Sequence, residues 1–274
     1  MQVVDAHCHI YPSKIAEKAV DSVGEFYQIE MLGSEVEGVG TVTRGTGEHL
    51  LGVSAPSDIT RHIVYSVAIK PSTVRSINDF IAAECAANGQ FVGFMAMHQD
   101  FEDMEAEVDR AVGLGLKGIK LHPDTQGVDL DDPRLMRLYQ IAEARDLPVV
   151  IHTGDYRYDY SHPRRLRRVL HEFPRLRVNG AHFGGWSVFD LACEILEHER
   201  CFVDVSSSMR YLGRRRSREL IELYGADRVL FGSDFPMWSP AEELEHLRAL
   251  ELDRRDMEKI LLRNAERFVE EDLA

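Results

Sequence analysis

The stretch Arg228-Val229-Leu230-Phe231-Gly232-Ser233-Asp234 decides the fold. It is a short apolar run that ends in a carboxylate, and it is the eighth of its kind. Val3-Val4, leading into Asp5-Ala6-His7-Cys8-His9-Ile10, is the first. Residues 63–68, 91–97, 118–122, 148–152, 176–182 and 201–206 supply the six between. Near-continuous apolar runs without polar alternation indicate strands covered on both faces, as in a parallel sheet wrapped by helices. Amphipathic stretches separate them, at 73–88, 102–114, 134–144, 161–173, 187–197, 217–224, 240–250 and 254–270. Asp132-Pro133 opens one of these, and Ser161 with Pro163 opens another, as N-cap and first-turn proline. Eight strand–helix units in this length predict a single α/β domain over residues 1–274, a (β/α)8 barrel. An open doubly wound sheet needs no eighth strand, and no GxGxxG follows the first strand.

Composition bounds the function. Lys and Arg number 32 against 46 Asp and Glu, a formal charge of −14, which argues against nucleic acid or anionic lipid as a partner. No apolar run is long enough to span a membrane. The N-terminus lacks a basic region followed by a long apolar run, so a cytoplasmic location is expected. Cys8, Cys85, Cys193 and Cys201 form no CxxC pair and read as reduced thiols. About fifty residues separate the first two strands, far above the usual loop length. Residues 24–57 of this excursion, glycine-rich from 24 to 52, read as an insertion or lid over a barrel mouth. A surface ornament or a homodimer contact is the rival reading of the same segment.

Reactive groups in such a barrel cluster where strands end at the C-terminal face. His7 and His9 lie two apart on the first strand and point the same way. His152 ends the fifth, His182 the sixth and Asp234 the eighth. Neutral imidazoles with one carboxylate suit zinc or a similar divalent ion with an open coordination position. Such an ion lowers the pKa of its water to about 7.

Asp5-Ala6-His7-Cys8-His9, His152-Thr153-Gly154, His182-Phe183-Gly184-Gly185 and Gly232-Ser233-Asp234-Phe235-Pro236 together resemble the signature blocks of the amidohydrolase superfamily. More narrowly they resemble the amidohydrolase-related metal-dependent TIM-barrel hydrolases, the group that includes aminocarboxymuconate semialdehyde decarboxylase. The closing residues 260–268 are similar to that group's C-terminal helix. The resemblance implies that His7, His9, His152 and Asp234 bind the metal. It implies that His182 positions or deprotonates the water, and that Asp234 doubles as a proton shuttle. Zinc is the expected ion, with manganese or another divalent ion as alternatives. Lys120 resembles the position of the carboxylated lysine in binuclear members. If carboxylated, it would bridge to a second ion on His152 and His182; unmodified, it would neutralise a substrate carboxylate or a nearby acid.

Further substrate-contact candidates are His122, Asp155, Trp186 and Arg210, each placed after a strand end. His98 is either a contact or a rim residue. His49, His62, His162, His171, His198 and His246 are assigned to structure or surface. The function expected is a metal-dependent hydrolase, its metal-bound water attacking a small amide or lactone. A non-oxidative decarboxylase of the aminocarboxymuconate semialdehyde type is the alternative, because the same ligands serve both. A metal nuclease with an HxH start is disfavoured by the charge. A barrel with a vestigial metal is disfavoured by the fifth group, His182.

Overall fold

The computed structural model describes residues 2–273. Ten strands occur among them: β1 (Val3–His9), β2 (Glu35–Val36), β3 (Gly40–Thr41), β4 (Ile59–Tyr65), β5 (Phe91–Ala96), β6 (Gly118–Leu121), β7 (Val149–Ile151), β8 (Val178–Gly180), β9 (Phe202–Asp204) and β10 (Val229–Leu230). Eight of them form one parallel sheet in the order β1-β4-β5-β6-β7-β8-β9-β10. The seam between the last strand and the first is stitched by backbone hydrogen bonds. Ala6 N–H donates to Phe231 O at 2.9 Å, Asp234 N–H to His7 O at 2.8 Å, and His9 N–H to Phe235 O at 2.7 Å. Helices cover the outside, so the chain is a TIM barrel, as the eight apolar runs predict. No helix among the described residues is long and apolar enough to cross a membrane. The four cysteines are free thiols.

Two apolar layers hold the barrel. The inner one joins Val4, Ala6, Ile63, Tyr65, Val92 and Phe94 to Phe268 and Val269 of the C-terminal helix Asn264–Val269, which plugs it. The outer one lies between strands and helices, and includes Val3, Cys8 and Ile10. Val4 and Ala6 face inward, so strict alternation would turn His7 and His9 outward. The register with β4 shifts between Asp5 and Cys8, a β-bulge that reverses the phase. After it the two histidines face the lumen, and Cys8 faces the outer layer.

The eighth run is strand for two residues only, because the chain turns at Asp234, whose φ is +64°. The 254–270 helix loosens at Lys259–Arg263 into a π-helical turn, and the Ile260 carbonyl there accepts the Phe231 N–H at 3.0 Å. Asp132 caps its helix as expected, accepting from Arg134 N–H. Ser161 does not. His162 caps the helix Pro163–Glu172, and the Ser161 hydroxyl donates to Asp124 instead. The chain between β1 and β4 carries the helix Ser13–Tyr27, the β2–β3 hairpin and the helix Gly47–Ser54. The wall that it lends to the central cavity begins at Tyr11, ahead of residue 24. From the 24–57 segment, Phe26, Tyr27 and Met31 reach that cavity.

Asp5 is fully buried and holds both sides of the seam, since one carboxylate oxygen accepts the N–H of His7 at 3.2 Å and of Ser233 at 2.9 Å. Asp5→Ala leaves two buried donors without acceptors. It should lower unfolding free energy by about 3 kcal/mol in urea titration. Asp5→Asn, which keeps an acceptor, should lose less, and equal losses would contradict this account.

Candidate active site

The C-terminal mouth of the barrel gathers five of the sequence-chosen groups. The His7 Nε2 stands 3.4 Å from Asp234 Oδ1, and the His9 Nε2 stands 3.6 Å from the same oxygen. The ring of His182 lies 5.0 Å from that of His7. His152 reaches the group through a 3.1 Å contact of its Nδ1 with His182 Nε2. His7, His182 and Asp234 each bring a ligand atom within 4.8 Å of the others.

Neighbouring acceptors set the state of two imidazoles. The His7 Nδ1 faces Asp204 Oδ2 at 2.9 Å, and the His182 Nδ1 faces the Ser206 carbonyl at 3.0 Å. A carboxylate and a carbonyl oxygen can only accept, so both Nδ1 atoms carry the proton. Nε2 is therefore the nitrogen that each ring turns toward the mouth. Burial lowers the pKa of His182 to about 4, which keeps it neutral near pH 7. Asp204 itself is buried at the end of β9. Burial opposes its charge, yet the imidazoles of His7 and His182 and the Ser206 hydroxyl hold its carboxyl well below the usual range. Asn179 Nδ2 donates to it at 2.7 Å, and the His182 N–H at 3.1 Å. The Ser207 hydroxyl takes Asp234 Oδ2 and leaves Oδ1 toward the histidines. His182 and Asp234 both sit at positive φ, +60° and +64°, a conformation that only a tightly bonded surround maintains.

The donor set fits a divalent ion. Ligand atoms about 2.0–2.2 Å from a tetrahedral ion lie about 3.4 Å apart; His7 and His9 each stand near that distance from Asp234 Oδ1, and His182 completes a group with His7 and Asp234. Buried His9 Nδ1, His152 Nε2 and Asp124 Oδ1 have no hydrogen-bond partner, although buried polar atoms almost always have one.

The other candidates divide. His122 lines the cavity, stacked on His152 at 3.9 Å and hydrogen-bonded to the Tyr27 hydroxyl at 2.8 Å. Lys120 lies beneath it, buried, with Nζ 3.2 Å from His7 Nε2 and over the Tyr65 ring. Burial pulls its pKa down to about 8. Asp155, Trp186 and Arg210 do not line the cavity. The Asp155 carboxylate is taken by Arg157 at 2.6 Å. Trp186 stands behind Tyr27, with ring centres 5.0 Å apart. Arg210 is drawn to the outer helix Pro240–Arg248, where it pairs with Glu242 and Glu243 at 2.6 Å each. His98 is a buried rim residue whose Nδ1 accepts the Asp100 N–H.

Sequence reasoning missed Asp204, Asp124 and Tyr27. Asp204 had a signal, for it is the one carboxylate within the seventh apolar run, 201–206, and β9 ends on it. Asp124, buried with burial raising its pKa to about 7, lies beyond its strand in the helical turn Pro123–Gln126. Tyr27 had no signal, because its place depends on how the excursion folds back.

Comparison with known proteins places this geometry. Among solved structures, a 2,6-dihydroxybenzoate decarboxylase complexed with 2,6-dihydroxybenzoate is similar at 18% identity, covering 98% of this chain and 100% of that one, with a TM-score of 0.74. A dihydroxybenzoic acid decarboxylase from Polaromonas sp. JS666, with bound manganese and the inhibitor 2-nitroresorcinol, matches at 15% identity over 98% and 97%, TM-score 0.73. A candidate 2-pyrone-4,6-dicarboxylic acid hydrolase from Pseudomonas putida matches at 20% identity over 98% and 97%, TM-score 0.68. At such identities these likenesses bear on the fold. The amidohydrolase family model covers residues 4–270, and the chain belongs to that family of metal-dependent enzymes.

Proposed function

We propose that the chain is a hydrolase of an uncharged small molecule, an amide or a lactone, using one divalent ion at the barrel mouth. The observation that carries this reading is the electrostatic make-up of the cavity, which measures about 670 Å³. Its polar end presents His9, His122, His152, His182, Asp124 and Asp234. The one Lys or Arg among its described lining residues is Lys18. Arg157 and Arg210 are committed to carboxylates elsewhere. Apart from the proposed ion and Lys120 beneath the mouth, a substrate carboxylate would find no cation at the polar end, whereas an uncharged carbonyl compound needs none.

His7, His9, His152 and Asp234 are the proposed ligands. A bound divalent ion, zinc or manganese by the character of these donors, would polarise a carbonyl and acidify a water. The residues themselves do the rest. Asp204 and Ser206 hold His7 and His182 in the Nε2-accepting tautomer. His182 Nε2, neutral and aimed into the mouth, takes a proton. Ser207 holds Asp234 through Oδ2 and leaves Oδ1 toward the histidines, and Asp234 passes that proton on as well as holding the ion. The second reading, a carboxy-lyase, is favoured by one observation: the Lys120 ammonium lies beside His7 and could balance a carboxylate there. A screen of amides, lactones and aromatic acids that scores hydrolysis and CO₂ release separately decides between them. Hydrolysis is the expected outcome.

Elemental analysis of the purified, folded protein should find about one divalent ion per chain. Two would indicate the Lys120-bridged pair, and none would sink the mechanism. Asp234→Asn should abolish turnover while leaving circular dichroism unchanged. Asp204→Asn turns an acceptor into an amide that can donate to His7 Nδ1, which favours a proton on Nε2. Metal affinity, read by competition with a chelator, should fall about 10–100-fold. Unchanged affinity would remove Asp204 from this role.

A further inference from the structure

The helix Ser13–Tyr27 is apolar on two sides. Ala16 and Val20 are buried against the body of the barrel. Ile15, Ala19, Val23 and Phe26, at steps of four, four and three, form a second stripe that faces the cavity. Val67 and Ile69, after β4, and Ile77 on the helix Val74–Ala87 supply a second wall of the same cavity. Ile15 is 53% exposed and Ile69 59%, so large apolar side chains stand open on both walls of one cleft. Scattered exposed apolar residues are ordinary; a cavity lined by two apolar walls is characteristic of a binding surface. The rows are continuous with the polar end, because His122, His152 and Asp234 line the same cavity. Polar groups concentrate at that end, and Lys18 stands on the stripe-bearing helix.

We infer that the substrate carries an apolar tail, an unbranched alkyl or acyl chain, that lies between these two walls while its uncharged head reaches the histidines. The inference rests on the proposed hydrolase reading for the head, but the tail site is a property of the walls alone. A single polar group enters at the barrel end, and each methylene behind it displaces water from Ile15, Val23, Ile69 or Ile77. Burying one methylene is worth about 0.8 kcal/mol, which is about a fourfold gain in affinity.

The test is calorimetric titration of straight-chain primary amides, from butanamide to octanamide, into the full chain with and without manganese. The dissociation constant should fall about fourfold with each added methylene, in both metal states. Ala19→Trp and Ile77→Trp fill the cleft from its two walls. Each should erase the gain for the longer amides, and the two positions guard against one variant failing to fold. Affinity independent of chain length, or no binding by any amide, overturns the inference. So does a methylene series that persists in the folded tryptophan variants. A protein that binds no metal yet shows the series would sink the hydrolase reading and leave the tail site standing.

Discussion

The seam of the barrel is the constraint on which the site depends. β1 and the chain after β10 meet through three backbone hydrogen bonds, and one of them joins Asp234 directly to His7. The bulge in β1 then decides what the seam displays. Without the phase reversal between Asp5 and Cys8, His7 and His9 would lie in the layer beneath the helices, where Cys8 now packs. Asp5 fixes this arrangement from behind by bonding both edges at once. A local irregularity thus turns a repetitive fold into a site with convergent lone pairs. Behind it, Asp204 sets which nitrogen of His7 faces the mouth, and so links the state of one proton to the position of a third strand.

Much of this was legible in the sequence, for a physical reason. A parallel strand buried on both faces must be an apolar run, so the eight runs mark themselves, and the residue that ends each run lies at the mouth. The strands are nonetheless shorter than their runs. The eighth is a pair of residues because Asp234 and the bonds around it pull the chain out of the sheet. The His7–His9 spacing gave the correct direction for an incomplete reason. A spacing of two guarantees a common face but not which face, and the bulge that chose it has no mark in the composition.

The substrate contacts were less legible. Arg210 follows a strand end just as His182 does, yet two glutamates on a neighbouring helix draw it outward. Asp155 follows β7 but is neutralised by Arg157 two residues on, whose guanidinium also donates to the Phe26 carbonyl and lies 4.7 Å over the Phe26 ring. The two glutamates come from distant sequence, as does the Phe26 that holds Arg157 in place, and charge pairing across the fold cannot be read from spacing. The cavity wall is the clearest case. Its helix precedes the glycine-rich segment, and its second apolar stripe looks in sequence like an ordinary core face.

Because the ligands of the proposed ion lie on both edges of the seam, the ion would be a rivet as well as a reagent. It would oppose a parting of the first and last strands. Protection of the His9 and Asp234 amides from hydrogen exchange would then report occupancy of the site. A catalytic centre built across the closure also has no half-made form: until the last strand docks against the first, the chain holds two histidines on one edge and a carboxylate adrift on the other.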